Sequence, residues 1–174
     1  MLIVVGPDGT GKTTLVEMLA ARGMHPMRPP QAMPEHAATR TLQGVLKYLH
    51  LTLMQSHRNE VWDRFPVPDH FIYAGILPPT STPRRDFADA WGTLRSYEEV
   101  LANVGVRAVV LDAPTEVLRE RWQDTEVGIE ALEELQFRYY LWQQLTPIPV
   151  MRRETAWVTE QDAEEVLQWY NSRL

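Results

Sequence analysis

The chain has 174 residues, which predicts one domain spanning residues 1–174, and its 44% hydrophobic and 23% charged residues are typical of soluble globular proteins. It contains no cysteine, which excludes disulfides, thiolate metal sites and a cysteine nucleophile, and is compatible with the cytoplasmic location that we expect. With 17 basic and 23 acidic residues the formal net charge is −6, so a nucleic-acid partner is not expected, and no segment resembles a signal peptide or membrane span.

Apolar runs and helical spacing predict strands that alternate with helices along the chain. The apolar run at residues 2–5 predicts a buried strand, a glycine-rich segment ends it, and residues 12–22 have the spacing of a helix. Further strands are predicted at residues 25–28, 59–63, 107–111 and 148–152, and further helices at residues 35–57, 69–76, 86–104, 115–123 and 127–145. Thr159 is predicted to cap a last helix that ends near residue 172, with Asp162 as its capping-box partner.

This order of elements predicts an α/β fold of three layers. Parallel strands joined through helices need crossover connections, so the sheet is expected to be mainly parallel and covered on both faces. Ligands of such sheets bind beyond the carboxyl ends of the strands. Gly6, Asp63 and Asp112 fall at predicted strand ends of this kind, so we expect them to meet at one edge of the sheet.

Residues 6–13 read Gly-Pro-Asp-Gly-Thr-Gly-Lys-Thr and match the pattern Gly-x4-Gly-Lys-Thr of a phosphate-binding loop. The glycines let backbone N–H groups turn toward phosphate oxygens, the lysine reaches the outer phosphates, and the hydroxyl is a magnesium ligand. The helix that starts at Lys12 adds a dipole that favours an anion. We therefore predict that a nucleoside triphosphate, ATP, is bound with Mg²⁺. The predicted nucleotide-binding residues are Gly9, Thr10, Gly11, Lys12, Thr13 and Thr14.

A second motif, Asp63-Arg64-Phe65, follows a predicted strand. A carboxylate in this place could take a proton from a substrate hydroxyl or could position magnesium together with Thr13, while the neighbouring guanidinium could bind an anionic oxygen through two hydrogen bonds. A salt-bridged strand end without a catalytic role is the simpler alternative. The phosphate loop earlier in the chain favours the functional interpretation, in which Asp63 and Arg64 belong to the active site.

Several landmarks together resemble those of thymidylate kinases and related deoxynucleoside and deoxynucleotide kinases. They are the phosphate loop, Arg28-Pro29, Asp63-Arg64-Phe65 and Leu111-Asp112-Ala113-Pro114, and the likeness spans about residues 2–142. Residues 63–75 look more like the compact kinases encoded by bacterial viruses than like the cellular enzymes. The resemblance implies a P-loop fold with a five-stranded parallel sheet, and transfer of the terminal phosphoryl group of ATP, with magnesium, to a nucleoside monophosphate.

The same resemblance assigns roles to the residues that match the family's landmarks. It implies that Asp8 touches the sugar hydroxyl of the acceptor or organises the metal shell, and that Arg28 and Arg64 bind the acceptor phosphate. Tyr73 resembles a tyrosine that stacks on the acceptor base, although core packing explains a helical tyrosine equally well. Asp112 is interpreted either as an outer group of the metal site or as the start of the next helix.

The family's mobile, arginine-containing lid is expected to be short here, at residues 119–126. Phosphoryl transfer needs a cation near the transferred group, and residues two apart on a helix face different ways, so at most one of Arg119 and Arg121 should enter the site. We favour Arg121, with Arg138 as a third candidate. Arg152, Arg153 and Trp157 follow the last strand, where related kinases hold the adenine, and a stacking role there is an open alternative.

Three functions remain open on the sequence. A deoxynucleoside monophosphate kinase is favoured, because paired arginines would neutralise an acceptor phosphate. A deoxynucleoside kinase is the alternative. A variant of either would phosphorylate a hydroxyl group on modified DNA, which the negative net charge of the chain disfavours. A nucleotide-binding module without turnover is the third. The aromatic group of Trp142, Trp169 and Tyr170 predicts either core packing or the surface of a homodimer.

Overall fold

The computed structural model describes residues 1–28, 58–73, 76, 91–122 and 127–172. Within these ranges the strands are β1 (Leu2–Val5), β2 (His25–Met27), β3 (Glu60–Asp63), β4 (Arg107–Asp112) and β5 (Val150–Glu154). The helices are α1 (Lys12–Ala21), α2 (Pro66–Tyr73), α3 (Trp91–Asn103), α4 (Thr115–Arg121), α5 (Leu132–Leu145) and α6 (Glu160–Asn171), with a short 3-10 turn at Ile129–Ala131. The described strands form one sheet in the order β2-β3-β1-β4-β5, and every pair is parallel.

Side chains alternate between the two faces of this sheet, so both faces are buried. Helices α2, α3 and α5 cover one face and α1 and α6 cover the other. The first face carries Ile3, Val5, Trp62, Ala108 and Val110, and the second carries Leu2, Val4, Val61, Val109 and Leu111. The predicted three-layer α/β fold with a parallel five-stranded sheet is confirmed.

The boundaries of several elements differ from the sequence prediction. The largest difference is at α5, which begins at Leu132 rather than at residue 127 and follows the 3-10 turn at Ile129–Ala131. Helix α2 begins at Pro66 rather than at residue 69, because a proline in the first turn of a helix loses only an N–H that has no partner there. Strand β5 begins at Val150, which pairs with Ala108 of β4, rather than at residue 148. The predicted helix at residues 35–57, residues 86–90 of the predicted helix at 86–104, and the lid residues 123–126 lie outside the described residues.

The predicted cap of the last helix is present. Thr159 Oγ1 accepts a hydrogen bond from the Asp162 N–H, and the Asp162 carboxylate accepts one from the Thr159 N–H at 2.9 Å, which completes a capping box. Trp142 and Tyr170 are buried core residues, so core packing is the correct interpretation for these two. Trp169 is partly buried and lies under the Arg107 guanidinium, 5.4 Å from the ring centroid. Each helix in the described parts of the chain is too short or too polar to cross a membrane.

Glu98 of α3 is a carboxyl group buried between two helices. Its side chain has no exposed surface and accepts hydrogen bonds from Trp142 Nε1 at 2.7 Å and Thr146 Oγ1 at 3.0 Å. Burial raises the pKa of Glu98, and the two hydrogen bonds and the Arg95 charge oppose this rise only in part. A carboxyl group whose pKa is higher in the folded state stabilises the fold fully at low pH, and this contribution is lost as the pH rises through the folded pKa.

We therefore expect Glu98→Gln to gain stability relative to the parent protein as the pH rises. Glutamine keeps the shape of the protonated acid and can accept from Trp142 while donating to Thr146, but it cannot ionise. Urea unfolding at about pH 5 and about pH 8 measures the difference, which should widen at the higher pH. Glu99→Gln, at an exposed position on the same helix, is the control. An equal pH dependence of the Glu98→Gln variant and the parent protein would contradict this expectation.

Candidate active site

The phosphate-binding loop connects β1 to α1 and lies directly against β4. Gly6 has φ 147°, and a Cβ atom added to it would lie 2.1 Å from the Leu111 carbonyl oxygen. This backbone conformation and this close approach both exclude a side chain. The first glycine of the motif is therefore required by the packing of the loop on the neighbouring strand.

Gly6→Ala is expected to destabilise the fold by about 2 to 5 kcal/mol, the sum of backbone strain and overpacking. Thermal or urea unfolding measures the loss. Gly92→Ala, in α3, is the matched control, because no heavy atom of the described residues lies within 4 Å of an added Cβ there. Alanine at position 92 should be neutral or stabilising, since alanine favours a helix more than glycine does. A Gly6→Ala variant as stable as the Gly92→Ala variant would show that the loop does not depend on this contact.

Lys12 places a buried positive charge inside the loop. Its Nζ atom donates to the Gly6 carbonyl at 2.9 Å, to the Pro7 carbonyl at 2.7 Å and to Asp8 Oδ1 at 3.2 Å. Burial lowers the pKa of Lys12, the nearby Arg64 charge lowers it further, and Asp8 opposes both effects. These contacts hold the Lys12 ammonium group against the backbone carbonyls at the start of the loop.

Thr13 and Asp63 are brought together by the pairing of β1 with β3, in which Val4 lies opposite Asp63. Thr13 Oγ1 donates to Asp63 Oδ2 at 2.7 Å, and Arg28 Nε lies 3.8 Å from the same oxygen. A hydroxyl and a carboxylate are hard oxygen donors, and Mg²⁺ commonly takes one or two protein ligands besides phosphate oxygens and water. Thr13 and Asp63 therefore have the donor chemistry to hold magnesium together with phosphate oxygens. Among the described residues, no three acidic or imidazole side chains are grouped as a metal site.

Arg64 follows β3 with a left-handed backbone, φ 71°, which is uncommon for a residue with a side chain. Its N–H donates to the Val4 carbonyl at 2.9 Å, and its guanidinium forms an ion pair with Asp8 of the phosphate loop. Such a backbone costs about 1 to 3 kcal/mol and persists only where the surrounding structure enforces it. Strained residues concentrate at functional sites, which supports a functional role for this arginine.

Asp69 is a polar group at this site that the sequence analysis did not single out. It lies in the first turn of α2 and accepts a hydrogen bond from the Tyr139 hydroxyl at 3.2 Å. Burial raises the pKa of Asp69, while the charges of Arg64 and Lys12 oppose the rise. The sequence places Asp69 at the start of the predicted helix at residues 69–76, but its closeness to Arg64 and Lys12 depends on how α2 packs, which the sequence pattern does not show.

Tyr73, predicted near the acceptor base, is a buried member of the core at the C-terminal end of α2. Its hydroxyl has no hydrogen-bond partner among the described residues, although the charges of Asp69 and Arg64 are close enough to affect it. Burial is the main cause that raises the pKa of Tyr73. Core packing accounts for the ring, and stacking on a base stays a prediction.

The arginines considered for the lid point in different directions. Arg121 Nη1 donates to the Ala156 carbonyl at 2.7 Å and approaches the Gly9 carbonyl at 3.4 Å. Arg119 pairs with exposed Glu133 at 2.8 Å, and Arg138 donates to the Ile72 carbonyl at 2.9 Å. Of the three, Arg121 is the one that these contacts bring to the phosphate loop.

Asp112 ends β4 at the same edge but is engaged by other groups. Its Oδ1 accepts from the Ala113 N–H at 2.9 Å and from Gln136 Nε2 at 2.8 Å, and its Oδ2 accepts from Arg152 at 3.0 Å. Helix α4 begins three residues later, at Thr115, without a side-chain cap, so Asp112 ends a strand and does not cap the next helix. Its contacts also occupy Arg152, and a role of Asp112 as an outer group of the metal site stays a prediction.

No protein-family model matches the sequence, and no curated protein matches it significantly. Solved structures match the fold. The YorR protein of Bacillus subtilis, determined in complex with phosphorylated GDP, is 16% identical over 97% of this chain and 94% of its own, with a TM-score of 0.72. Deoxyadenosine kinase of M. mycoides is similar in two complexes, with dATP (16% identity, 98% of both chains, TM-score 0.64) and with dCTP (17% identity, 99% of this chain and 100% of the kinase, TM-score 0.61).

At these identities the comparisons show a shared fold. The likeness extends over almost the whole length of each chain, so the described sheet and helices share the fold of these structures.

Proposed function

We propose that this protein transfers the terminal phosphoryl group of ATP to a small nucleoside or nucleotide, with a deoxynucleoside monophosphate as the leading acceptor. The observation that carries the proposal is that the phosphate loop meets the end of β3 through two contacts: Thr13 with Asp63, and Asp8 with Arg64. A loop with the phosphate-binding pattern and the Asp63-Arg64 pair therefore lie side by side. The structural relatives named above include a deoxyadenosine kinase and a protein bound to phosphorylated GDP, which supports a nucleotide substrate.

In the proposed reaction, an acceptor oxygen forms a bond to the terminal phosphorus of ATP while the bond to the bridging oxygen of ADP breaks. Little covalent chemistry is asked of the protein, which acts by positioning and by neutralising charge. Lys12 and the loop amides stabilise negative charge on the phosphates, and Arg121 is the candidate for the transferred group. Magnesium, held by Thr13 and Asp63, would supply further positive charge at the phosphate oxygens.

The acceptor side has two arginines, and both lie near a carboxylate. Arg64 pairs with Asp8, and Arg28 lies near Asp63; their side chains are 41% and 52% exposed, so an incoming anion can reach them. A monophosphate acceptor would have to compete with Asp8 for the guanidinium of Arg64. This pairing supports a second candidate function, that of a deoxynucleoside kinase, because an uncharged acceptor leaves the ion pair in place and Asp8 can then accept a hydrogen bond from the acceptor hydroxyl.

Steady-state assays with ATP and a panel of deoxynucleosides, their monophosphates and a hydroxyl-bearing oligonucleotide distinguish these functions. For a monophosphate acceptor, Arg64→Gln should raise the acceptor KM about 10-fold or more, since a charged hydrogen bond is lost. For a nucleoside acceptor the same change should act mainly on kcat. Tight ATP binding without transfer to any acceptor would instead identify a nucleotide-binding module and end the kinase proposal.

A further inference from the structure

Two segments distant in sequence pack against the outer side of the phosphate loop. The C-terminal end of α4 approaches Gly9, where an added Cβ would lie 3.1 Å from Arg121 Cβ. The connection between β5 and α6 approaches Gly11, where an added Cβ would lie 2.8 Å from Val158 Cγ2. The loop is therefore held between these two segments.

Trp157 joins the two segments through a stack with Arg121. The Arg121 guanidinium lies over the indole ring, 3.7 Å from its centroid, and Nη1 donates to the carbonyl of the preceding residue, Ala156. Trp157 is 72% exposed, so burial in the core does not explain a large aromatic side chain at this position. Cation–π attraction in a geometry this close is favourable even at exposed sites.

The backbone that carries the indole is itself fixed. The Thr155 hydroxyl donates to the Trp157 carbonyl at 2.7 Å and accepts from the Trp157 N–H at 3.2 Å. A flexible arginine loses rotamer freedom when it is ordered, and an ordered aromatic surface removes part of that cost before the substrate arrives. Among the described residues, the hydrogen-bond acceptors of Arg121 all contact Nη1, which leaves its other nitrogens to face an anionic oxygen.

We propose that Trp157 is a positioning residue that holds the Arg121 guanidinium beside the phosphate loop, ready for the transferred phosphoryl group. The expected effect of Trp157 on phosphoryl transfer rests on the proposed kinase function. The stack itself is independent of that function, because it involves only side chains of this chain.

The test is a double-mutant cycle of Trp157→Ala and Arg121→Ala, measured with ATP and the best acceptor of the panel. Trp157→Ala should lower kcat about 3- to 30-fold, the range that a cation–π contact supports, with the KM for ATP changed about twofold or less. In the Arg121→Ala background, the tryptophan change should have no further effect on kcat. Trp157→Phe, which keeps an aromatic face, should recover most of the activity.

Phe137→Ala provides the matched control, because Phe137 is another exposed aromatic residue, 55% exposed, on α5. The proposal is overturned if Trp157→Ala has the same effect with and without Arg121. It is also overturned if only the KM for ATP rises, since the indole would then contact the nucleotide itself.

A second measurement does not depend on activity. Acrylamide quenching of Trp157, obtained as the difference between the parent protein and Trp157→Phe, should increase in the Arg121→Ala background because the ring loses its cover. Unchanged quenching would refute the stack. If the parent protein transfers no phosphoryl group, the proposed function is wrong, and the quenching result alone then decides whether Trp157 holds Arg121.

Discussion

Lys12→Ala is expected to lower phosphoryl transfer about 10³-fold or more, because charge on the transferring group would lose its nearest buried cation. The lysine is enclosed by the loop, where its ammonium group donates hydrogen bonds to Gly6, Pro7 and Asp8. The measurement is kcat with ATP and the preferred acceptor, together with thermal unfolding of the variant.

The fold should survive the change, since Lys12 belongs to neither apolar layer of the core, although the unpaired carbonyls should cost about 1 to 3 kcal/mol. Lys12→Met retains most of the aliphatic stem and separates the loss of charge from the loss of packing. Arg119→Ala removes an exposed cation that pairs with Glu133 and should leave kcat near that of the parent protein. Turnover retained in both Lys12 variants would exclude the proposed mechanism.

Asp63→Asn is expected to have the second large effect, and its size depends on the acceptor. Asparagine can still accept the hydrogen bond of Thr13 but loses the negative charge that would bind magnesium. With a monophosphate acceptor, already ionised, we expect about a 10²-fold loss of kcat that higher magnesium concentrations partly restore. With a nucleoside acceptor the hydroxyl proton needs a base, so about a further 10²-fold should be lost.

The measurement is the rate of transfer as a function of magnesium concentration, with one acceptor of each kind. Glu154→Gln is the control, because Glu154 ends β5 at the same edge of the sheet but pairs with Arg152 on the surface. A rate for Asp63→Asn equal to that of the control, at every magnesium concentration, would remove Asp63 from the metal site.

The sequence predicted the sheet and the phosphate loop because both depend on neighbouring residues. A buried strand, a glycine loop and a helix follow one another between residues 2 and 21, and the apolar run of each strand is local as well. Asp63 could be predicted at the same edge because parallel strands bring their carboxyl ends together.

Contacts between distant residues were not predictable in the same way. The stack of Arg121 on Trp157 and the ion pair of Arg64 with Asp8 depend on how helices and connections pack on the sheet. The spacing of apolar residues predicts which face of a helix is buried, but not which segment of the chain packs against that face. Asp69 was missed for the same reason, since its closeness to Lys12 and Arg64 depends on how α2 packs on the rest of the fold.

The left-handed backbone of Arg64 lets the adjacent side chains of Asp63 and Arg64 both contact the phosphate loop. In a continuing strand, consecutive side chains point to opposite faces of the sheet, so Asp63 and Arg64 could not both face the same loop. The left-handed conformation at Arg64 lets the Asp63 carboxylate reach Thr13 while the Arg64 guanidinium reaches Asp8, which precedes Thr13 by five residues. Opposite charges on adjacent residues thereby contact two different positions of a single loop. In the proposed function, one backbone angle would fix the spacing between the group proposed to bind magnesium and the group proposed to bind the acceptor.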